Sequence, residues 1–295
     1  MITSLTNARI RRLITLREKS RARNRERLFL GEGRKMFEEA PLERVKEVYI
    51  SEPLWKELET ARSQLMGKKL KACIEQGIFV EQVSEEVFKK ISDTQTPQGI
   101  LFVMEQFSYC LEEMIRKSGE RMEAGGRAPL FLLLEDIQDP GNLGTMIRTG
   151  EGAGVDGVIM SKGTADIYNP KTIRSTMGSL YRVPFLYTQE LGEVIKQLKE
   201  NHIKVYAAHL EGKQYFDEIA YEGGSAFLIG NEGSGLREET AELSDVYLKI
   251  PMEGQLESLN AAVAAALFMY QAAGYHRKRE NIFQAGLGYA GKEKT

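Results

Sequence analysis

Polar side chains of the kinds that orient a ligand gather in three short segments of the second half of this sequence. Asn142 and Arg148 lie in the run Glu135-Asp136-Ile137-Gln138-Asp139-Pro140-Gly141-Asn142-Leu143-Gly144-Thr145-Met146-Ile147-Arg148. Glu232 lies in Gly230-Asn231-Glu232-Gly233-Ser234-Gly235, and Ser258 and Asn260 follow Ile250-Pro251-Met252. Each segment joins an apolar strand pattern to the start of a helix pattern, the edge at which open α/β sheets bind their ligands. Asp-Pro-Gly predicts a turn that leaves Asn142 at or near the next helix cap. Arg148, six residues on and close to two turns along, rises from the same region. Taken singly, each residue also has a structural use: Asn142, Ser258 and Asn260 suit helix caps, and Glu232 suits a loop.

Several other chemistries are excluded. Gly152-Ala153-Gly154-Val155-Asp156-Gly157 matches the dinucleotide-binding glycine string, but it follows a helical pattern and leads into a strand, the reverse of the order that string needs. The same reversal counts against a conventional Rossmann-type methyltransferase. The loop from Gly230 to Gly235 lacks the Lys-Ser/Thr of a phosphate-binding P-loop, and no serine sits in a G-x-S-x-G elbow. Cys73 and Cys110 and the histidines His202, His209 and His276 have no metal-ligand spacing, so neither a metal nor a disulfide framework is expected and a reducing cytoplasm fits.

The elements that must carry these residues divide the chain. Residues 1–106 read as a small α/β domain: a helix over Thr6–Lys19, the apolar patch Leu28-Phe29-Leu30, a turn at Gly31-Glu32-Gly33, and strands at Val45–Ile50, Gly77–Val83 and Ile100–Val103. Residues 107–128 read as a linker containing a helix. Residues 129–275 alternate helices with the apolar strands Leu130–Leu134, Val155–Met160, Lys204–Ala208, Ala226–Ile229 and Val246–Ile250, the pattern of a parallel sheet covered on both faces. Leu259 to Gly274 contains Asn260 and Gln271 and reads as a buried helix rather than a membrane span. Residues 276–295 read as a loosely held polar tail. Met177 and Tyr181 are expected in the core.

The 295 residues carry a net charge of only −2, with an uneven distribution. Arg9, Arg11, Arg12, Arg17, Lys19, Arg21, Arg23, Arg25, Arg27, Arg34 and Lys35 stand against Glu18, Glu26 and Glu32 in the first stretch. A basic arm of this kind suits a polyanion, since phosphate neutralisation releases counterions, and it also suits a solvated helix face.

The three segments, in their order and over about 130 residues, resemble the signature motifs of the SpoU (TrmH-like) branch of the SPOUT RNA methyltransferases. The matching residues are Asn142, Gly144 and Arg148; Gly230, Asn231, Glu232, Gly233 and Gly235; and Pro251, Ser258, Leu259 and Asn260. Asn169-Pro170-Lys171 with Arg174-Ser175-Thr176-Met177-Gly178 is similar to the family too. Gly31-Glu32-Gly33 and Thr96-Pro97-Gln98-Gly99 resemble its substrate-binding domain, which implies a fold like ribosomal protein L30e.

The resemblance implies an α/β fold whose C-terminal domain is tied in a trefoil knot, an exception to the rule against threading. It implies a homodimer through that domain and S-adenosyl-L-methionine as cofactor. That cofactor would be held by Leu210, Gly230, Asn231, Gly233, Ile250, Met252, Ser258 and Leu259, with glycine permitting close approach. The implied reaction is methylation of a ribose 2′-hydroxyl in structured RNA, with ribosomal RNA expected before transfer RNA. An RNA-binding ribosome-assembly factor without catalysis is the alternative class. Arg148 would be catalytic, and Asn142, Glu232, Ser258 and Asn260 would orient ribose and phosphate. An arginine stays protonated across the physiological range, which favours electrostatic stabilisation over a base role. Arg11, Arg12, Arg21, Arg23, Arg25, Lys171 and Arg174 are the expected RNA contacts.

Overall fold

The computed structural model describes residues 1–60 and 65–290. In chain order the elements are α1 (Ala8–Glu18), α2 (Ser20–Glu26), β1 (Leu28–Glu32), α3 (Arg34–Glu39), β2 (Val45–Ser51), α4 (Glu52–Thr60), α5 (Leu65–Glu75), β3 (Phe79–Val83), α6 (Glu85–Ile91) and β4 (Ile100–Glu105). Then follow α7 (Leu111–Glu123), β5 (Leu130–Leu134), α8 (Pro140–Ala153), β6 (Gly157–Ser161), α9 (Pro170–Thr176), β7 (Phe185–Thr188), α10 (Leu191–Glu200), β8 (Ile203–Ala208), β9 (Gln214–Tyr215), β10 (Gly224–Ile229), α11 (Glu238–Ala241), β11 (Val246–Lys249) and α12 (Ala261–Ala290). They form two compact units. The first joins Met1–Phe107 to Asp166–Arg182, and the second joins Ser108–Ala165 to the chain from Val183 onward.

The first unit holds a four-stranded sheet in the order β1-β4-β2-β3, with β4 antiparallel to both neighbours and β3 parallel to β2. Helix α1 starts where the Asn7 side chain accepts from the Arg9 N–H, and it turns Ile10, Leu13 and Leu16 inward at helical spacing. These pack with Leu30, Tyr49, Val87, Phe88, Leu101 and Val103. Gly31-Glu32 is not a turn, as its composition suggested, but the end of β1. Gly31 pairs with Phe102 across the sheet, and any Cβ there would overlap the Phe102 ring. Asp166–Arg182, including α9, also belongs to this unit, which the strand-helix alternation did not reveal. Its ties there are tertiary contacts that leave no periodic signature: the Tyr168 ring on Phe29 (4.7 Å between centroids), the Tyr181 ring on Phe107, and ion pairs of Arg23 with Asp166, Arg174 with Asp93 and Arg182 with Glu39.

The second unit is built on seven parallel strands in the order β7-β6-β5-β10-β8-β11-β9. Strand residues alternate between faces. Phe131, Leu133, Ala226 and Leu228 meet Leu111 and Met114 of α7 and Leu191, Val194 and Leu198 of α10. Phe227, of opposite parity, stacks on Phe268 of α12 at 5.5 Å between ring centroids. Residues 107–128 are therefore not a free linker, because α7 carries part of this core. The polar end is corrected as well. Helix α12 runs to Ala290, since no proline follows Pro251 to break it, and residues 291–295 lie outside the described residues. The Gly152–Gly157 string spans the end of α8, the left-handed cap Gly154 and the first residue of β6. Among the described residues no helix is long and apolar enough to cross a membrane, and no cluster of His, Cys, Asp or Glu could hold a metal.

Replacing Gly31 by alanine should lower stability by about 1–3 kcal/mol, since the new methyl must displace a buried ring. A urea midpoint unchanged from wild type would contradict that packing.

Candidate cofactor cleft and active site

The loops after β8, β10 and β11 and the start of α12 enclose a cleft of about 260 Å³. Leu210, Gly230, Asn231, Gly233, Ile250, Met252, Ser258 and Leu259, the eight residues expected to hold the cofactor, all line it. Sequence reasoning did not include His209, Lys249, Glu257 or the helix residues Ala261, Ala264 and Phe268, which line it too. The walls are apolar at Ile229, Leu248 and Phe268, and the rim carries Glu232, Glu257 and Ser258. This composition suits an adenosine bearing a cationic sulfonium side chain: apolar walls take the flat ring, loop backbone can read its edges, and carboxylates balance the charge. Ser258 is exposed and forms no hydrogen bond within the described residues, so its hydroxyl can serve a ligand.

The glycine-rich loop is shaped mainly by itself. A Cβ at Gly230 would overlap the backbone of Gly235 and Leu236, so that glycine is demanded by the loop's own closure. The Asn231 side chain accepts from the backbone N–H of Gly233 (2.9 Å) and Ser234 (3.0 Å) and donates to the Asp136 carbonyl (2.8 Å). Asn231 thus lines the cleft while its amide is spent on folding the loop.

Three of the expected catalytic residues form one relay. The Asn260 amide donates to Asn142 Oδ1 (2.9 Å), and Asn142 Nδ2 donates to Glu232 Oε1 (3.0 Å). Glu232 also accepts from the backbone N–H of Gln138 (3.0 Å) and Asp139 (3.1 Å). Burial pushes this carboxyl's pKa up, but the N–H groups of Gln138 and Asp139 and the Asn142 amide outweigh it and hold it below its ordinary value. Asn142 is not the cap of α8; Asp139 is, accepting from the Asn142 N–H (2.8 Å), with Pro140 in the first turn. Asn260 does act as a cap, accepting from Ala262 and Val263 N–H. Arg148 lies two turns into α8, exposed, and its guanidinium has no partner among the described residues.

Behind this relay stands a pair the sequence reading missed. Glu135, only 1% exposed, accepts from Arg237 Nε (2.9 Å), Arg237 Nη2 (2.7 Å), the Arg237 N–H (2.8 Å) and Thr240 Oγ1 (2.6 Å). It fixes the far end of the glycine-rich loop to the end of β5. A carboxylate directly after five apolar residues was the available signal, because a buried charge needs a partner.

The profile of the SpoU rRNA methylase family matches residues 129–270, and that of the MRM3-like substrate binding domain matches residues 7–101. The 23S rRNA (guanosine(2553)-2′-O)-methyltransferase RlmP of Bacillus subtilis is 38% identical over 201 residues, spanning 68% of this chain and 75% of that protein. The chain belongs to the SpoU rRNA methylase family. The AdoMet-bound rRNA methyltransferase of Sinorhizobium meliloti aligns with a TM-score of 0.76 at 27% identity, covering 92% of this chain and 96% of that one. The SpoU methyltransferase AviRb of Streptomyces viridochromogenes has a TM-score of 0.75 over 92% of this chain and 98% of that one, with 24% identity, a likeness of fold. As a SpoU methylase, this protein uses S-adenosylmethionine.

The expected RNA contacts of this SpoU methylase all lie in the first unit. Arg11, Arg21, Arg25 and Lys171 are exposed, whereas Arg12 is paired with Glu26 and Glu47, and Arg174 with Asp93. Arg23 must be removed from the set. It is 3% exposed, and its guanidinium donates to the Leu16 and Arg17 carbonyls and to Asp166.

Two outcomes follow for the loop. Arg237→Ala leaves the buried Glu135 carboxylate short of donors and should cost about 2–4 kcal/mol, with Glu135→Gln in the same chain recovering part of it. Glu232, with its pKa lowered by folding, adds stability above the ordinary carboxylate pKa and loses it as pH falls through its own lower value. The stability difference between wild type and Glu232→Gln should therefore be present at about pH 7 and shrink progressively as pH falls below the ordinary carboxylate range. Urea midpoints across that range would check the sign, and a difference that grew in acid would refute it.

Proposed function

We propose that this protein transfers the methyl group of S-adenosylmethionine to a ribose 2′-hydroxyl of large-subunit ribosomal RNA. The observation that carries the reading is the Asn260–Asn142–Glu232 relay, which draws three loops together beside the cleft, while the Arg148 guanidinium has no partner among the described residues. The Bacillus subtilis relative, whose name specifies a guanosine 2′-O site in 23S rRNA, supports the substrate class. When bound, S-adenosylmethionine supplies an electrophilic methyl on a cationic sulfur.

The chain's own residues make the hydroxyl a sufficient nucleophile. Glu232 is a poor proton acceptor, because three hydrogen bonds stabilise its ionised form. It acts as an organiser, holding Asn142 and the first turn of α8. Arg148 sits on that same helix and acts electrostatically, neutralising an adjacent RNA phosphate and easing development of the oxyanion as the hydroxyl passes its proton to solvent water and its oxygen takes the methyl group. Ser258 and Asn260 orient the ribose.

The finer architecture is part of the same reading. The cleft loops would belong to a trefoil knot, a reading supported by β10 lying between β5 and β8 while α12 packs back on α8, β5 and β10. The mixed four-stranded sheet of the first unit suits an L30e-like domain. A second copy would pair through α12, where Val263, Leu267 and Tyr270 form an exposed apolar stripe at helical spacing.

Nucleoside mass spectrometry of ribosomal and transfer RNA from a deletion strain should show one missing 2′-O-methyl nucleoside in the large-subunit RNA. Loss from transfer RNA instead, or from neither, would overturn the proposal. Arg148→Lys keeps the charge but loses the planar fork, and should lower kcat by about a hundredfold with S-adenosylmethionine binding unchanged.

A further inference from the structure

The first unit sorts its arginines into two classes. Arg9, Arg12, Arg17 and Arg23 are engaged by groups of this chain: Arg9 by the Phe79 ring and Glu47, Arg12 by Glu26 and Glu47, Arg17 by the Lys90 and Ser92 carbonyls, and Arg23 by Asp166 and the end of α1. Arg21, Arg25 and Arg27 are exposed. Arg21 and Arg27 have no side-chain partner among the described residues, and Arg25, with its side chain 76% exposed, touches only Glu26 at 3.4 Å.

The seven residues of α2 account for this division. Ala22, Arg23 and Glu26 fall on one face of the helix and are turned toward the unit, whereas Arg21 and Arg25, four residues apart, share the opposite face. The helix's only acid, Glu26, lies on the inward side, paired with Arg12, and the charges of the outward face are all basic, set beside the neutral Ser20 and Asn24. Arg27 follows at once as the left-handed C-cap, with φ 57°, which turns the chain into β1 and extends the basic row. The buried Arg23 guanidinium clamps α2 to the last carbonyls of α1 and to Asp166, so the row is carried on a fixed element. Two cations one helical turn apart with a third at the cap, the intervening Glu26 being turned to Arg12, suit the regularly spaced phosphates of a nucleic-acid strand better than a single anion.

We infer that α2 is a phosphate-tracking element, with Arg21, Arg25 and Arg27 contacting the sugar–phosphate backbone of the substrate RNA. The inference rests on the reading of this protein as an RNA methyltransferase, and it assigns Arg23 to holding the element rather than to RNA.

The test is binding of the full chain to transcribed, unmodified 23S rRNA, titrated with KCl from about 50 to 300 mM. The triple variant R21Q/R25Q/R27Q should reduce the slope of log K against log salt by about 2–3, since each phosphate contact contributes about 0.7–0.9. It should also raise KM for RNA with kcat and S-adenosylmethionine affinity unchanged. The control K56Q/K71Q/K89Q removes the same charge from lysines paired with Glu52, Glu75 and Glu85, and should change the slope by less than about 1. An unchanged slope in the first variant, or an equal fall in both, overturns the proposal. Wild-type protein that neither binds nor methylates this RNA would instead overturn the functional reading on which it rests.

Discussion

Glu232 crosses from the loop after β10 to the first turn of α8, and the active-site half of this protein depends on that crossing. Its carboxylate occupies the Gln138 and Asp139 N–H groups and the Asn142 amide together. Charge-assisted hydrogen bonds of this kind are stronger than neutral ones, and their donors would be costly to leave unmet. Asn142 is fixed in orientation as a result, with its amide nitrogen toward Glu232 and its oxygen toward Asn260. Helix α12, which Asn260 caps, is thereby registered against α8, from which Arg148 projects. In the proposed mechanism, local folding and catalytic geometry are the same set of bonds.

The candidate cofactor cleft obeys a related constraint. Its loops must run close together, so glycines and short polar side chains replace bulk. Gly230 is required by the backbone of Gly235 and Leu236, and Asn231 is occupied with three groups of its own loop and the Asp136 carbonyl. At the base, Glu135 and Arg237 pin the loop to the sheet. A loop held at both ends keeps its carbonyls and N–H groups in place for a ligand, which is the preorganisation that lowers the entropic cost of binding.

Much of this was legible in the residues. Continuous apolar runs such as Leu130–Leu134 disclosed the parallel sheet, because strands buried on both faces need no alternation. The reversed order around Gly152–Gly157 was enough to dismiss a nucleotide-binding string, which α8, Gly154 and β6 show as a helix end leading to a strand. The eight cleft residues came from family motifs, because nothing in local periodicity places Leu210 beside Leu259. What stayed hidden depends on long-range partners. Arg23 has the same sequence signature as Arg21 and Arg25, and only Asp166, 143 positions away, makes it structural. Asp166–Arg182 likewise joins the first unit through pairings that no helical or strand period records.

In the proposed mechanism the Asn142 bridge assembles the catalytic site. Asn142→Asp tests it most directly, since the new carboxylate keeps the shape and the acceptor for Asn260 but loses the donor to Glu232 and sets two like charges side by side. Single-turnover methyl transfer to unmodified 23S rRNA should fall by about a hundredfold or more in this variant, with S-adenosylmethionine affinity within a few-fold of wild type. A rate within about threefold of wild type would show that the Asn142 bridge is not needed for methyl transfer.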